Sequence, residues 1–327
     1  MELVRVDPDD LEAVTRLLDL RLVEHAADEP WEHPETLRRL QLHLRLGWDG
    51  EAPRTFLARR DGRTVGAATV NTSDYDNLEL AWVKVWVHPD HRRRRVGSEL
   101  AELVLDECRR LGRPLVGADY WESPALAGFT RALGFEQRTV GVLRRQHLRE
   151  LDPGLADEVV AEAAPHAVDY ELVRLRPPTP EDLLERIVGI SMAVNDAPTD
   201  DLEFEDEIVT PERLRRYEQV LLESGAAYRV VARHRATGEL AGNTVVLVDG
   251  DDPTVAFQHD TAVAAAHRGH RLGLLLKADV MRWLAGAEPQ VATVDTWNAA
   301  SNDHMIAVNE RLGYRVMGSC PGYQRRL

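Results

Sequence analysis

The sequence matches itself. Glu2-Leu3-Val4-Arg5 returns as Glu171-Leu172-Val173-Arg174, 169 residues later, and each copy leads through a proline-containing turn into a helical pattern. Ala58-Arg59, ahead of Gly62 and Gly66, returns as Ala232-Arg233 ahead of Gly238 and Gly242, with apolar runs on both sides of a turn, the pattern of a hairpin. Arg92 to Gly97 aligns with Arg268 to Gly273 at an offset of 176, and Leu133-Gly134-Phe135 with Leu312-Gly313-Tyr314 at 179. Four matches in one order, at slowly drifting offsets, confine the chain to a duplicated domain with small insertions. Its 327 residues suit two domains, each large enough to bury a core. The expected boundaries are 1–150 for the N-terminal domain, 151–168 for a partly helical linker rich in Ala, Asp and Glu, and 169–327 for the C-terminal domain.

Each half reads as strand, one or two helices, an antiparallel set of strands, a basic turn, a long helix, strand, helix, strand. That order predicts an α/β fold with a mixed sheet. The long helix is the firmest element, because Leu100, Leu103, Val104 and Leu111 recur at helical spacing, as do Leu274, Leu275, Val280 and Leu284. A formal net charge of −15 argues against a nucleic-acid partner, since neutralising phosphates takes a basic surface. No apolar run approaches the roughly eighteen residues of a membrane helix, and the first residues carry no basic and apolar leader. A soluble, cytoplasmic protein without a membrane partner is the expectation. Cys108 and Cys320 are too few for a disulfide framework or a metal cluster and read as reduced thiols.

Against the acidic background two basic turns stand out. Val85 to Leu100 reads VWVHPDHRRRRVGSEL: an apolar run ending at Val87, a short turn with a proline, the arginines Arg92, Arg93, Arg94 and Arg95, then Val96, Gly97 and Ser98 opening a helix. The second copy, after Val263, runs Arg268, Gly269, His270, Arg271, Leu272 and Gly273, with Lys277 one helical turn beyond. A helix start offers N–H groups without an intrahelical partner and the positive end of the macrodipole, so both turns suit a pyrophosphate.

At these motifs the chain resembles the GNAT superfamily of N-acetyltransferases, whose pyrophosphate loop reads Arg/Gln-x-x-Gly-x-Gly/Ala after a strand. The resemblance covers most of both halves and implies two tandem GNAT-like domains, each a mostly antiparallel twisted sheet flanked by helices. It also implies acetyl-CoA as cosubstrate, no metal, and direct transfer to an amine of a small molecule or peptide by a monomer or homodimer. Arg95 and Arg271 stand where the family usually has its first glycine, which is tolerable if they adopt right-handed helical backbone. In the segment Thr296 to Tyr314, Asn302 matches the family's pantetheine-binding asparagine, while Asn309 occupies the place of its usual tyrosine acid. The N-terminal half has Ser123 and Thr130 there, so the C-terminal half is the expected catalytic one.

The family places an acidic general base on the strand before the basic turn. Asp260 is the matching candidate and His259 the second, with backbone N–H groups around Val263 facing the oxyanion. The N-terminal half has Lys84 at the place of Asp260, so it is expected to be degenerate or to hold CoA without turnover. The acidic loop Val194 to Glu207 either lines a site for a cationic amine or is a solvated face. An alternative reading is a non-catalytic acyl-CoA sensor or scaffold.

Overall fold

The computed structural model describes residues 1–327, the side chain of Pro124 excepted. The N-terminal repeat runs β1 (Glu2–Arg5), α1 (Leu11–Asp28), α2 (Leu37–Leu46), β2 (Arg54–Arg60), β3 (Arg63–Asn71), β4 (Leu80–Val87), α3 (Val96–Arg110), β5 (Leu115–Asp119), α4 (Pro124–Ala132) and β6 (Glu136–His147). After a further helix, α5 (Leu155–Ala163), the C-terminal repeat runs β7 (Tyr170–Leu175), α6 (Leu184–Ser191), α7 (Pro211–Ser224), β8 (Gly225–His234), β9 (Leu240–Asp249), β10 (Val255–Val263), α8 (Leu272–Ala287), β11 (Thr293–Ala299), α9 (Asp303–Arg311) and β12 (Arg315–Arg326). The repeats correspond element for element. The fold is mixed α/β, and in each repeat one parallel pairing interrupts otherwise antiparallel strands. No helix is long and apolar enough to cross a membrane among the described residues.

The compact units are drawn differently from the repeats. Unit 1 comprises Met1–Val140, Asp201–Asp206 and Ser319–Leu327; unit 2 comprises Gly141–Asp200 and Glu207–Gly318. Each repeat therefore gives the second half of its last strand to the other unit. In unit 1 the sheet order is β1, β2, β3, β4, β5, closed by β12, whose Gly322–Arg326 run antiparallel to Leu115–Asp119. In unit 2 it is β7, β8, β9, β10, β11, closed by β6, whose Gly141–His147 run antiparallel to Thr293–Ala299. Boundaries at 1–150 and 169–327 mark the sequence repeats and do not coincide with these units.

The segment 151–168 differs from a linker for a reason visible in α8. The sequence LGLLLKADVMRWLAGA is apolar nearly all round, and Leu272, Leu274, Leu275, Leu276, Ala278, Val280 and Leu284 are all buried. A helix of that kind needs cover on its outer side as well as on the sheet. α5 supplies it, burying Val159 and Ala163 in the same core cluster. The equivalent helix α3, VGSELAELVLDECRR, carries a single apolar stripe of Val96, Leu100, Val104 and Cys108, and its Glu102, Asp106 and Arg109 stay at the surface.

The acidic loop is mostly consumed structurally. Glu205 exchanges hydrogen bonds with Asn77, taking its backbone N–H at 2.7 Å and giving its own to Asn77 Oδ1 at 2.8 Å. Glu203 accepts from Arg326 Nε at 3.0 Å. Both cysteines are free, and burial pushes each thiol up to about 12, so neither offers a thiolate at neutral pH.

The strand that unit 2 borrows is fixed by charge. Arg145 on β6 donates through Nε and Nη2 to the two oxygens of Asp295 on β11, both at 2.7 Å, with side chains 7% and 1% exposed. Asp295→Ala would leave that guanidinium buried without its counter-charge. A loss of about 3–5 kcal/mol in unfolding free energy is expected, read as a lower urea midpoint at unchanged slope.

Candidate active site

The site of unit 2 begins where two parallel strands part. β10 pairs with β11 only from Val255–Gln258 to Thr293–Thr296. Beyond that, β10 continues to Val263 against β9, and β11 to Ala299 against β6. Between Gln258 and Thr261 the register on β9 advances by two residues while β10 advances by three, a bulge that holds His259 and Asp260.

Hydrogen-bond alternation says what faces the opening. Ala264 donates its N–H to Ala241 O at 3.0 Å, so Val263 and Thr261 belong to the non-bonded pairs of the ladder and point their N–H and C=O away from β9. The carbonyl of Val263 is taken by Arg268 Nε at 3.2 Å. Its N–H is left facing the gap. Unit 1 repeats the device: β4 and β5 part after Val83 and Ala118, and Val87 O accepts from Arg92 Nε at 3.2 Å. Its β4, however, keeps a uniform register on β3 and has no bulge.

After each strand a short turn leads to the helix that covers the sheet. Arg271 (φ 54°) and Arg95 (φ 66°) both sit in the left-handed region as N-caps of α8 and α3. The expectation of right-handed backbone there is corrected: glycine is usual at this position because the chain turns left-handed, and an arginine costs about 1–2 kcal/mol. Neither cap makes a side-chain bond to its helix. Leu275 is the first residue of α8 to reach back, to Arg271 O, so the N–H groups of Leu272, Gly273 and Leu274 lie ahead of the intrahelical ladder. That is an anion cradle by geometry.

The two cradles differ in charge and in space. In unit 2, Arg268 also binds Asp196 at 2.5 Å, Arg271 binds Glu162 at 2.7 Å, and His270 meets His166 O at 3.1 Å. In unit 1, Arg92 binds Asp28 at 2.8 Å, while Arg93, Arg94 and Arg95 are exposed and carry no side-chain partner among the described residues. Ser98 is also at the surface; Val96 and Leu272 are buried and anchor their helices. A Cβ added at Gly97 would meet the Phe129 ring at 3.5 Å and 3.8 Å, whereas at Gly273 only Val263 lies near, at 4.0 Å. The C-terminal cradle is the one with more space for an added Cβ. Its paired cations are half exposed, so their ion pairs, worth about 0–1 kcal/mol each, yield readily to a phosphate.

Asp260 is open to solvent on one side, yet enough protein surrounds it that burial pushes its carboxyl above the ordinary range, with Arg229 pulling the other way. Arg229 is buried beside Glu218, at 3.8 Å, and donates to Asn243 Oδ1 at 3.3 Å. His259 Nδ1 lies 2.8 Å from Tyr217 Oη, and burial together with Arg229 pushes the imidazole down to about 4. It is neutral at physiological pH and a weak proton acceptor. In unit 1, burial works to lower the Lys84 ammonium, but Asp119 at 2.9 Å overcomes it and holds the charge in place.

The remaining candidates lie around α9. Asn302 caps that helix, accepting from Met305 N–H at 3.1 Å. Asn309 is turned inward and fully buried: its Oδ1 accepts from Lys277 Nζ at 2.6 Å, and its Nδ2 donates to Asn298 Oδ1 at 3.3 Å. Arg144 donates to the same Asn298 oxygen at 2.9 Å. Lys277 therefore faces the core and not the cradle. Its positive charge directly after the apolar run LGLLL was the available signal; the bulge and the Arg229–Glu218 pair left none at the level of sequence pattern.

The chain belongs to the acetyltransferase (GNAT) family, whose model matches residues 16–135 and again 193–314. Its relatives include a mycothiol acetyltransferase of Actinosynnema mirum, 28% identical over 181 residues covering 50% of this chain and 58% of that protein. Another mycothiol acetyltransferase, of Parafrankia sp., is 30% identical over 158 residues covering 47% of this chain and 44% of that one. The chain thus spans about half the length of the curated relatives it matches. Among solved structures, a tandem GNAT protein from the clavulanic acid biosynthesis pathway superposes with a TM-score of 0.82 at 28% identity, over 99% of this chain and 98% of that one. A GCN5-related N-acetyltransferase from Sphaerobacter thermophilus shares the fold, with a TM-score of 0.72 at 15% identity over 99% and 95% of the two chains.

The space at Gly273 yields a direct test. Gly273→Ala adds a methyl group that meets nothing closer than 4.0 Å and removes a helix glycine, so thermal stability should hold or rise. The same methyl group intrudes where an anion approaches the helix start. CoA affinity measured by calorimetry should fall by about tenfold or more, about 1.4 kcal/mol.

Proposed function

We propose that unit 2 transfers the acetyl group of acetyl-CoA directly to an amine, and that unit 1 is non-catalytic. The observation that carries this is the bulge of β10 at His259 and Asp260, the latter three residues before Val263 on the strand that leads to the uncapped start of α8. The residues suit the donor: the cradle at Leu272 to Leu274 holds N–H groups for a pyrophosphate, and Gly273 leaves room for it. Acetyl-CoA, when bound, supplies an activated acyl carbon.

The chain's own residues do the rest. Asp260 accepts the proton that the attacking amine must lose, and its raised pKa makes it a stronger base than a free carboxylate. The Val263 N–H stabilises the oxygen on which negative charge develops. Arg268 holds that strand end and the cradle together through Val263 O and Asp196. With both thiols held protonated, transfer without an acyl-enzyme is the reading that fits. A small-molecule acceptor is favoured over a peptide by the relatives named for mycothiol. Reading unit 1 as a holder of acyl-CoA without turnover is supported by its Lys84–Asp119 pair and by the exposed arginines Arg93, Arg94 and Arg95 at the start of α3.

The decisive experiment is Asp260→Asn assayed against a panel of amines. Turnover should drop by roughly 10²–10⁴ with CoA affinity retained. In the wild type, activity falls as pH drops through the raised pKa of Asp260, because the base is then protonated; the variant should lose this acid limb. Normal turnover with the limb intact would assign the base elsewhere.

A further inference from the structure

We propose that Lys277 is the proton donor to the thiolate that leaves from unit 2. The proposal depends on the acetyltransferase reading of that unit and adds the group that completes its proton balance. Lys277 is in the second turn of α8 and only 2% exposed. An ammonium has three N–H donors. One goes to Asn309 Oδ1 at 2.6 Å, and the Tyr314 ring lies 4.7 Å from Nζ; no other partner exists among the described residues.

Two connections link the nitrogen to the strands that part. Asn309 continues to Asn298 on β11, two residues beyond the last rung shared with β10. Lys277 also lines a cavity of about 10 Å³ with Gln146, Gln258, Val294 and Tyr314, and Gln258 is the last residue of β10 paired to β11. The spare donors thus lie under the point where the strands part. The N-terminal repeat has Ala101 and Thr130 in place of Lys277 and Asn309, so the device exists once.

The chemistry balances. Burial with no carboxylate nearby pushes the ammonium down to about 7, below the roughly 8.5 of an ordinary thiol. The proton therefore moves downhill from nitrogen to sulfur. The C–S bond breaks with its electron pair on sulfur, an Nζ–H bond breaks with its pair on nitrogen, and an S–H bond forms. Asp260 already holds the proton of the amine. Neutral lysine and protonated carboxyl then return to their starting states by exchange with water as the products leave.

The test uses the full chain with Lys277→Met, which suits the apolar surroundings, and Lys277→Gln, which keeps a donor for Asn309. In both, kcat should fall by about 10²-fold with the KM for acetyl-CoA little changed. The wild-type alkaline limb near pH 7, where the acid is lost, should disappear. A second readout needs no turnover: the Lys277 Nζ resonance, followed by NMR as ligand is titrated in, should shift with CoA and not with desulfo-CoA, which lacks the sulfur. Equal shifts with the two ligands while wild-type transfer persists would overturn the proposal and leave the transferase reading standing. Failure of CoA to bind unit 2, seen as indifference to Gly273→Ala, would remove both.

Discussion

Parallel pairing between β10 and β11 lasts for four residue pairs, and the chemistry of unit 2 depends on its ending there. A sheet that stops pairing leaves backbone donors and acceptors that must find other partners, at about 1–3 kcal/mol for each one stranded away from water. Arg268 takes the Val263 carbonyl, and the neighbouring N–H remains for a substrate oxygen. The bulge lies on the same stretch of β10 and holds Asp260. On the proposed reading, one interruption would provide both the oxyanion donor and the position of the base.

Unit 1 has the interruption without the bulge. It has the same parted strands, the same arginine-to-carbonyl bond and a more strongly cationic turn. It lacks the bulge, carries a lysine whose charge is stabilised where a base is needed, and packs Phe129 against the helix-start glycine. Under the proposed function, attraction for an anion and competence to use it have separated between two copies of one fold.

Much of the fold was legible because duplication displayed each element twice: hairpin, basic turn and long helix all appear where the repeats align. The cradle was legible because arginines and glycine at a strand-to-helix junction have few other uses. Arg95 and Arg271 were misread for a conformational reason, since nothing in an arginine announces a left-handed backbone. The linker was misread because its Ala-rich composition hides a packing duty imposed by a helix more than a hundred residues later. The fate of β6 and β12 was illegible in principle, because alternation along a strand tells which face is buried and not which sheet edge receives it. Asn309 and Lys277 were each noticed, but their bond crosses 32 residues and only the packed chain brings it about.

The traded strands bear on how such a protein can change over generations. Each repeat finishes its sheet in the neighbouring unit, so deleting either copy would strip the survivor of an edge and expose the row of backbone groups beneath it. On the proposed reading, a copy without turnover would still be retained for the edge it closes. With the ends exchanged, duplication acts as a ratchet: either half can drift in its loops and surface charge, but neither can leave without opening the sheet of the other.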